Sequence, residues 1–164
     1  MDQITLHTGY HPGLIGTISA RFSQHFHALC GLGAGFEAKV ATEMSDFIAR
    51  LPDPALQVWH ARRNEQIVGS LFIDGRNLGQ NRAHLRWFIL TPQARGRGTG
   101  QALMDAAMAH VDAQDFAETQ LWTIKGTDAA RTLYERHGFH LASEFTGDQW
   151  GAPVTEQHFI RLRK

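Results

Sequence analysis

Residues Arg95-Gly96-Arg97-Gly98-Thr99-Gly100 form a basic glycine turn with the composition of an anion cradle. An alternating, strand-like run (residues 83–90) precedes it and a helix-like run (101–112) follows it. The turn therefore delivers a strand into the start of a helix. A helix N-terminus leaves backbone N–H groups without carbonyl partners and carries the positive end of the helix dipole, which together favour a phosphate or diphosphate. The glycines let the main chain approach closely, while Arg95 and Arg97 add charge and forked donors. The chemistry predicted is the binding of a phosphorylated cofactor.

Two familiar phosphate loops do not fit. The dinucleotide fingerprint G-x-G-x-x-G needs a third glycine where Gln101 stands, and several strands already precede the turn. The pattern G-x-x-x-x-G-K-[ST] is absent. What remains is [QR]-x-x-G-x-[GA], met by Arg95, Gly98 and Gly100. About thirty residues downstream lies Ala130-Arg131-Thr132-Leu133-Tyr134-Glu135-Arg136-His137-Gly138-Phe139, a helical segment ending at a glycine. By spacing alone, Tyr134 reads as one more residue on an amphipathic face with Ala130 and Leu133.

These groups need positioning elements, and the chain supplies them in order. A short strand (4–7) leads through Gly9-Tyr10-His11-Pro12-Gly13 into a helix (14–29) with Ile15, Ile18, Phe22 and Phe26 at helical spacing. Gly31-Leu32-Gly33-Ala34-Gly35 breaks it, and a second helix (36–50) follows, closed by Pro52 and Pro54. Strands at 57–62 and 66–74 flank the polar turn Arg63-Asn64-Glu65, a hairpin, and the second reads as buried on both faces. The strand at 83–90 alternates His84, Arg86, Phe88 and Leu90 against Ala83, Leu85, Trp87 and Ile89. Past the glycine turn come a helix, a strand (119–124), a helix (127–136) and strands at 139–145 and 154–162. The fold class is α+β: a mixed central sheet of six to seven strands flanked by four helices, in one domain spanning 1–164.

Composition narrows the function. Formal net charge is zero, so there is no global basic field of the kind nucleic-acid binders use. No apolar run approaches a membrane span, and Met1-Asp2-Gln3 does not open a signal peptide. One cysteine, Cys30, excludes an internal disulfide and a thiol metal site, so a cytoplasmic location is expected. Ten histidines include one close pair, His25 and His27, without HExxH spacing, so no metal is expected.

Taken together, the glycine turn, the tyrosine helix and the element order from Ile4 to Leu162 resemble the GNAT superfamily of N-acetyltransferases. More narrowly, His7-Thr8-Gly9-Tyr10-His11-Pro12-Gly13, Ala83-His84-Leu85-Arg86-Trp87-Phe88, Asp148-Gln149-Trp150-Gly151 and Thr155-Glu156-Gln157 resemble GNAT domains found behind MarR-type winged-helix regulators. The resemblance implies acetyl coenzyme A as cofactor and an acceptor amine, on a small molecule, amino acid or peptide, that attacks the thioester within a ternary complex. Homodimers are common in the family. A coenzyme A-sensing module that acts through partner binding is the alternative.

The resemblance also assigns residues. The diphosphate falls to the backbone of Arg95, Gly96, Arg97, Gly98, Thr99, Gly100 and Gln101. The pantetheine arm falls to main-chain groups of Phe88, Ile89 and Leu90, with an N–H near Leu90 helping the oxyanion. Tyr134 becomes the general acid for the departing sulfur and touches the cofactor. Thr127 stands where the family often has a cofactor-binding asparagine. For the acceptor side the residues on offer are Glu37, His84, Arg86, Gln149 and Trp150, joined by Tyr10, His11, Phe26 and Phe36. Glu37, His84, Arg86, Glu144, Asp148 and Glu156 leave the general base unassigned.

Overall fold

In the computed structural model, which describes residues 3–164, the elements run β1 (Thr5–Thr8), α1 (Leu14–Cys30), α2 (Ala34–Ala49), β2 (Leu56–Arg63), β3 (Gln66–Asp74), β4 (Arg82–Leu90), α3 (Thr99–Ala113), β5 (Glu118–Ile124), α4 (Asp128–Arg136), β6 (His140–Gly147) and β7 (Val154–Leu162). This is the α+β order read from the sequence. One difference has a local cause. Helix α2 begins at Ala34 rather than residue 36, because Gly35 is accommodated inside its first turn and Gly33 is the cap. A single 3₁₀ turn, Pro92–Ala94, separates β4 from the glycine turn.

The seven strands form one sheet in the order β1-β2-β3-β4-β5-β7-β6. All neighbours are antiparallel except β4 and β5, which run parallel. Strand β3, buried along its length from Ile67, occupies the interior of the sheet as its two apolar faces require. Helices α1 and α2 cover one face, where Phe47 meets Phe72 and Trp87 edge-on. Helices α3 and α4 cover the other, where His110 packs on Trp59 and Tyr134 on Phe159. Among the described residues no helix is long and apolar enough to cross a membrane.

Two irregularities in β4 create the site. The first is its pairing with β5, which lasts only from Arg82–Glu118 to His84–Gln120. Beyond that the strands diverge, and β5 pairs with β7 over its whole length instead. The second is a β-bulge. Ser70 pairs with Ile89 and Phe72 with Arg86, so Trp87 and Phe88 together oppose Leu71. Trp87 takes the left-handed backbone region, φ 43°, and its carbonyl accepts a hydrogen bond from the Ser70 hydroxyl at 2.8 Å. The strict alternation expected for this strand therefore fails at Trp87. His84 and Arg86 face α2, where Arg86 reaches Glu43. Phe88 and Leu90 face the opposite layer, against Gly100 and Tyr134.

Candidate active site

The divergence of β4 and β5 opens a groove of about 780 Å³ that passes between the strands and connects both faces of the sheet. One end lies against the glycine turn and α4. The other lies under α2 and the β6–β7 connection.

At the first end, Gly98 caps α3 in the left-handed region (φ 78°) and Gly96 is left-handed as well (φ 70°). The first capping bond of the helix is Ala102 N–H to Gly98 C=O, so the N–H groups of Thr99, Gly100 and Gln101 precede the regular ladder. Close packing makes Gly100 necessary: a methyl group there would lie 2.9 Å from Leu133 Cδ1 and 3.2 Å from Leu90 Cδ1. Arg95, Gly96, Gly98, Gly100 and Gln101 line the groove. Arg97 and Thr99 do not: Arg97 points into solvent, and Thr99 is buried at the first helical position. The side chain of Gln101 turns away towards α4, donating to Asp105 at 2.9 Å, and His137 bridges Asp105 and the Leu133 carbonyl. This brace ties the first turns of α3 to the end of α4.

Tyr134 is the buried residue of α4, enclosed by the rings of Phe88, Phe139 and Phe159 at centroid distances of 5.8–6.0 Å. Burial pushes its phenol well above the ordinary tyrosine value, so the group keeps its proton. Phe88, Ile89, Leu90 and Thr127 line the same stretch. The Thr127 hydroxyl donates to the Ile124 carbonyl at 3.2 Å and lies 3.3 Å from Thr123 Oγ1, which places it at the mouth of α4.

At the other end are His84, Arg86, Gln149 and Trp150. Asn77 Nδ2 donates to His84 Nδ1 at 2.8 Å, which leaves the ring proton on Nε2, and the ring stands edge-on to Trp122. Burial, assisted by the charge of Arg86, pulls His84 down to about 3, so it is neutral near pH 7. Arg86 donates to Glu43 at 2.6 Å, stacks over the Trp87 indole at 4.1 Å and approaches the buried Asp74 at 4.0 Å. Lys39 also pairs with Glu43.

Glu37 is not part of this site. It is exposed and lies off the groove. The residues of α2 that reach the groove are Phe36, Lys39, Val40 and Glu43, an i, i+3, i+4, i+7 stripe from which Glu37 is turned by about 100°. The spacing is visible in the sequence, but which face of α2 meets the groove is set by packing against the sheet. Tyr10 and His11 also lie elsewhere: Tyr10 is exposed, and His11 packs by His60 and Arg62. Phe26 and Phe36 are both core residues and groove walls, meeting edge-on at 5.6 Å. His25, Asn77 and Trp122 line the groove without having been anticipated. Among the described residues no cluster of His, Cys, Asp or Glu could hold a metal ion.

The profile of the acetyltransferase (GNAT) family matches residues 30–139. Solved structures are similar over the whole chain. One is a GNAT-family acetyltransferase from Staphylococcus aureus Mu50, with TM-score 0.72, 17% identity and coverage of 99% of this chain and 100% of that one. Another is a ribosomal-protein-alanine N-acetyltransferase from Brucella melitensis, with TM-score 0.74, 13% identity and coverage of 97% and 99%. A structure assigned to a streptothricin acetyltransferase of Bacillus anthracis, in complex with acetyl coenzyme A, aligns over 72% of this chain and 68% of its own with TM-score 0.60 and 16% identity. At these identities the solved structures share the fold.

Proposed function

The chain belongs to the GNAT acetyltransferase family, and we propose that it transfers the acetyl group of acetyl coenzyme A directly to a primary amine of a small molecule, amino acid or peptide. It is an acyltransferase, and acetyl coenzyme A is its acyl donor. The observation that carries the finer reading is the groove itself. It joins an anion-binding helix start on one face of the sheet to a polar and aromatic chamber on the other.

The residues present fit the donor. The N–H groups of Thr99, Gly100 and Gln101, with the backbone at Gly96 and Gly98 and the charge of Arg95, would hold the diphosphate. Arg97 and Thr99 would contribute through backbone and not through side chains. The edge of β4 at Phe88, Ile89 and Leu90, freed from β5, would pair with the extended arm, as an unpaired strand edge does with a peptide-like chain. When bound, the donor supplies an activated acetyl thioester. Thr127 offers a hydroxyl at the mouth of α4. Tyr134 Oη, kept protonated by burial, is the proton donor on that side of the groove and would protonate the departing sulfur.

Proton removal from the acceptor falls to solvent. Glu43 is engaged by Lys39 and Arg86, and the unprotonated nitrogen of His84 is engaged by Asn77. Asp128 also lines the groove, but at the start of α4, on the donor side. The chamber under α2, walled by Phe36, Trp122 and Trp150 and floored by His84 and Arg86, receives the acceptor. The narrower kinship to domains behind MarR-type regulators is supported by the four short segments noted above.

The test is direct. Purified protein should be stabilised against heat by coenzyme A and acetyl coenzyme A, and should release free thiol from acetyl coenzyme A with a member of an amine panel. Unchanged melting with both ligands would overturn the reading.

A further inference from the structure

The connection between β6 and β7 forms one wall of the acceptor chamber, and a buried carboxylate holds it. Glu156 lies on β7 with 1% of its surface exposed. Among the described residues no cation pairs with it; its hydrogen-bond partner is the side-chain amide of Gln149. A carboxylate taken out of water without a counter-charge is costly, and such groups persist where the surrounding structure uses them. Two glycines complete the arrangement. The Glu156 carboxylate packs so tightly on Gly147 that any side chain there would collide with it. Gly151, left-handed at φ 99°, closes the turn by donating its N–H to the Asp148 carbonyl at 3.0 Å. Trp150, between Gln149 and Gly151, is half-buried against the core and lines the groove.

We propose that Glu156 is the positioning residue of the acceptor site: through Gln149 it holds the Asp148–Gly151 turn so that the Trp150 indole forms a fixed wall beside the reacting amine. The proposal rests on the acetyl-transfer reading for its kinetic consequence, but not for its structural one. Glu156 does not itself line the groove, and its carboxylate is already engaged, so it acts through Gln149 rather than on the acceptor. A wall displaced by a fraction of an ångström weakens capture and alignment of the acceptor and leaves the donor half of the groove untouched.

The experiment compares Glu156→Leu, Glu156→Gln and Gln149→Leu in the full chain, using whichever amine of the panel the wild type acetylates. Glu156→Leu should raise KM for that amine about tenfold while KM for acetyl coenzyme A and the thermal shift by coenzyme A stay within about twofold. Glu156→Gln, which keeps an oxygen for the Gln149 amide, should restore most of the loss. Gln149→Leu should reproduce Glu156→Leu, and the double variant should be no worse than either. Hydrogen exchange of the amides of Gln149, Trp150 and Gly151 should accelerate in both leucine variants. Unchanged acceptor KM, or an equal rise for both substrates, overturns the proposal. So does a kcat loss with an altered pH profile, which would make Glu156 a base. If Glu156→Leu does not fold, Gln149→Leu and Glu156→Gln decide by the same criteria. If the wild type binds coenzyme A but acetylates nothing, the transfer reading has failed. Wild-type exchange rates in Gln149→Leu would then separately overturn the latch.

Discussion

Phe88 and Tyr134 face one another with ring centroids 6.0 Å apart, one from a strand and the other from a helix nearly fifty residues on. They meet because Trp87 bulges the strand just before Phe88. Without the bulge, Phe88 would share a face with His84 and Arg86. One strand thus lines both ends of the groove, its first half under α2 and its second half against α4.

Removing the Tyr134 hydroxyl should test its place in the chemistry. Tyr134→Phe keeps the packing on Phe139 and Phe159, so the melting temperature should hardly move. A lost general acid lowers kcat by roughly 10²-fold, with KM for acetyl coenzyme A little changed. Steady-state kinetics at saturating acceptor measure this, and wild-type kcat would remove the phenol from the mechanism.

The glycine turn should be intolerant at two positions for different reasons. Gly98→Ala places a side chain at φ 78° with open space around it, so the cost is backbone strain, about 1 kcal/mol. Gly100→Ala drives a methyl towards Leu133 and Leu90 and crowds the crevice itself. Calorimetry with and without coenzyme A should show Gly98→Ala lowering the baseline stability, and Gly100→Ala reducing the ligand-induced shift more than the baseline.

Buried and exposed ion pairs should separate cleanly in a urea titration. Asp74 is fully buried and accepts from Arg50 at 2.6 Å and from the backbone N–H groups of Arg76 and Asn77. Burial pushes its carboxyl up, but these donors outweigh that and leave it below the usual range. Arg50→Ala removes the closest cation and leaves Asp74 with the two backbone N–H groups and Arg86 at 4.0 Å, so a loss of about 2 kcal/mol is expected. Arg76 and Asp53 form a forked pair at the surface, and Arg76→Ala should leave the urea midpoint where it was.

Acid should destabilise the fold through histidines before it does so through carboxylates. Burial, aided by Arg62, holds His60 down to about 4, and burial with Arg86 holds His84 down to about 3. Their folded values lie below the unfolded value near 6.5, so the unfolded chain takes up protons first and stability falls as pH drops from 6.5 towards 4. The expected loss is on the order of 3 kcal/mol for His60 alone between pH 7 and pH 4. Urea midpoints from pH 7.5 to 4.5 measure the slope, and His60→Gln should flatten it.

If solvent removes the acceptor proton, the pH dependence of kcat/KM for the acceptor should belong to the acceptor. Two amines whose ammonium groups ionise about two pH units apart should give profiles displaced by that amount. A common rise for both amines would instead reveal a base on the protein.

Much of the fold was legible because its signals are local. Apolar periodicity, with the glycine and proline breaks between runs, located the strands and helices, since a half-buried helix or strand must repeat its apolar residues at its own period. The turn at Arg95–Gly100 was legible for the same reason, being a strand, a glycine turn and a helix start in sequence. The acceptor chamber was less so. Glu37 stands near the start of α2, but the face α2 turns to the groove is set by packing against the sheet, and Glu43 lies on that face. Gln149 and Glu156 came from two separate short segments, and nothing local says that they bond.

By itself, the sequence determined the order of elements, the basic glycine turn between β4 and α3 and the position of the Tyr134 helix after it, because each is written in contiguous residues. Tertiary structure alone decided that β4 parts from β5 after His84, that Trp87 reverses the faces of Phe88 and Leu90, and that Glu156 reaches Gln149. These depend on which strands compete for one edge and on which side chains fill one core. Such competition is settled among residues far apart in the chain.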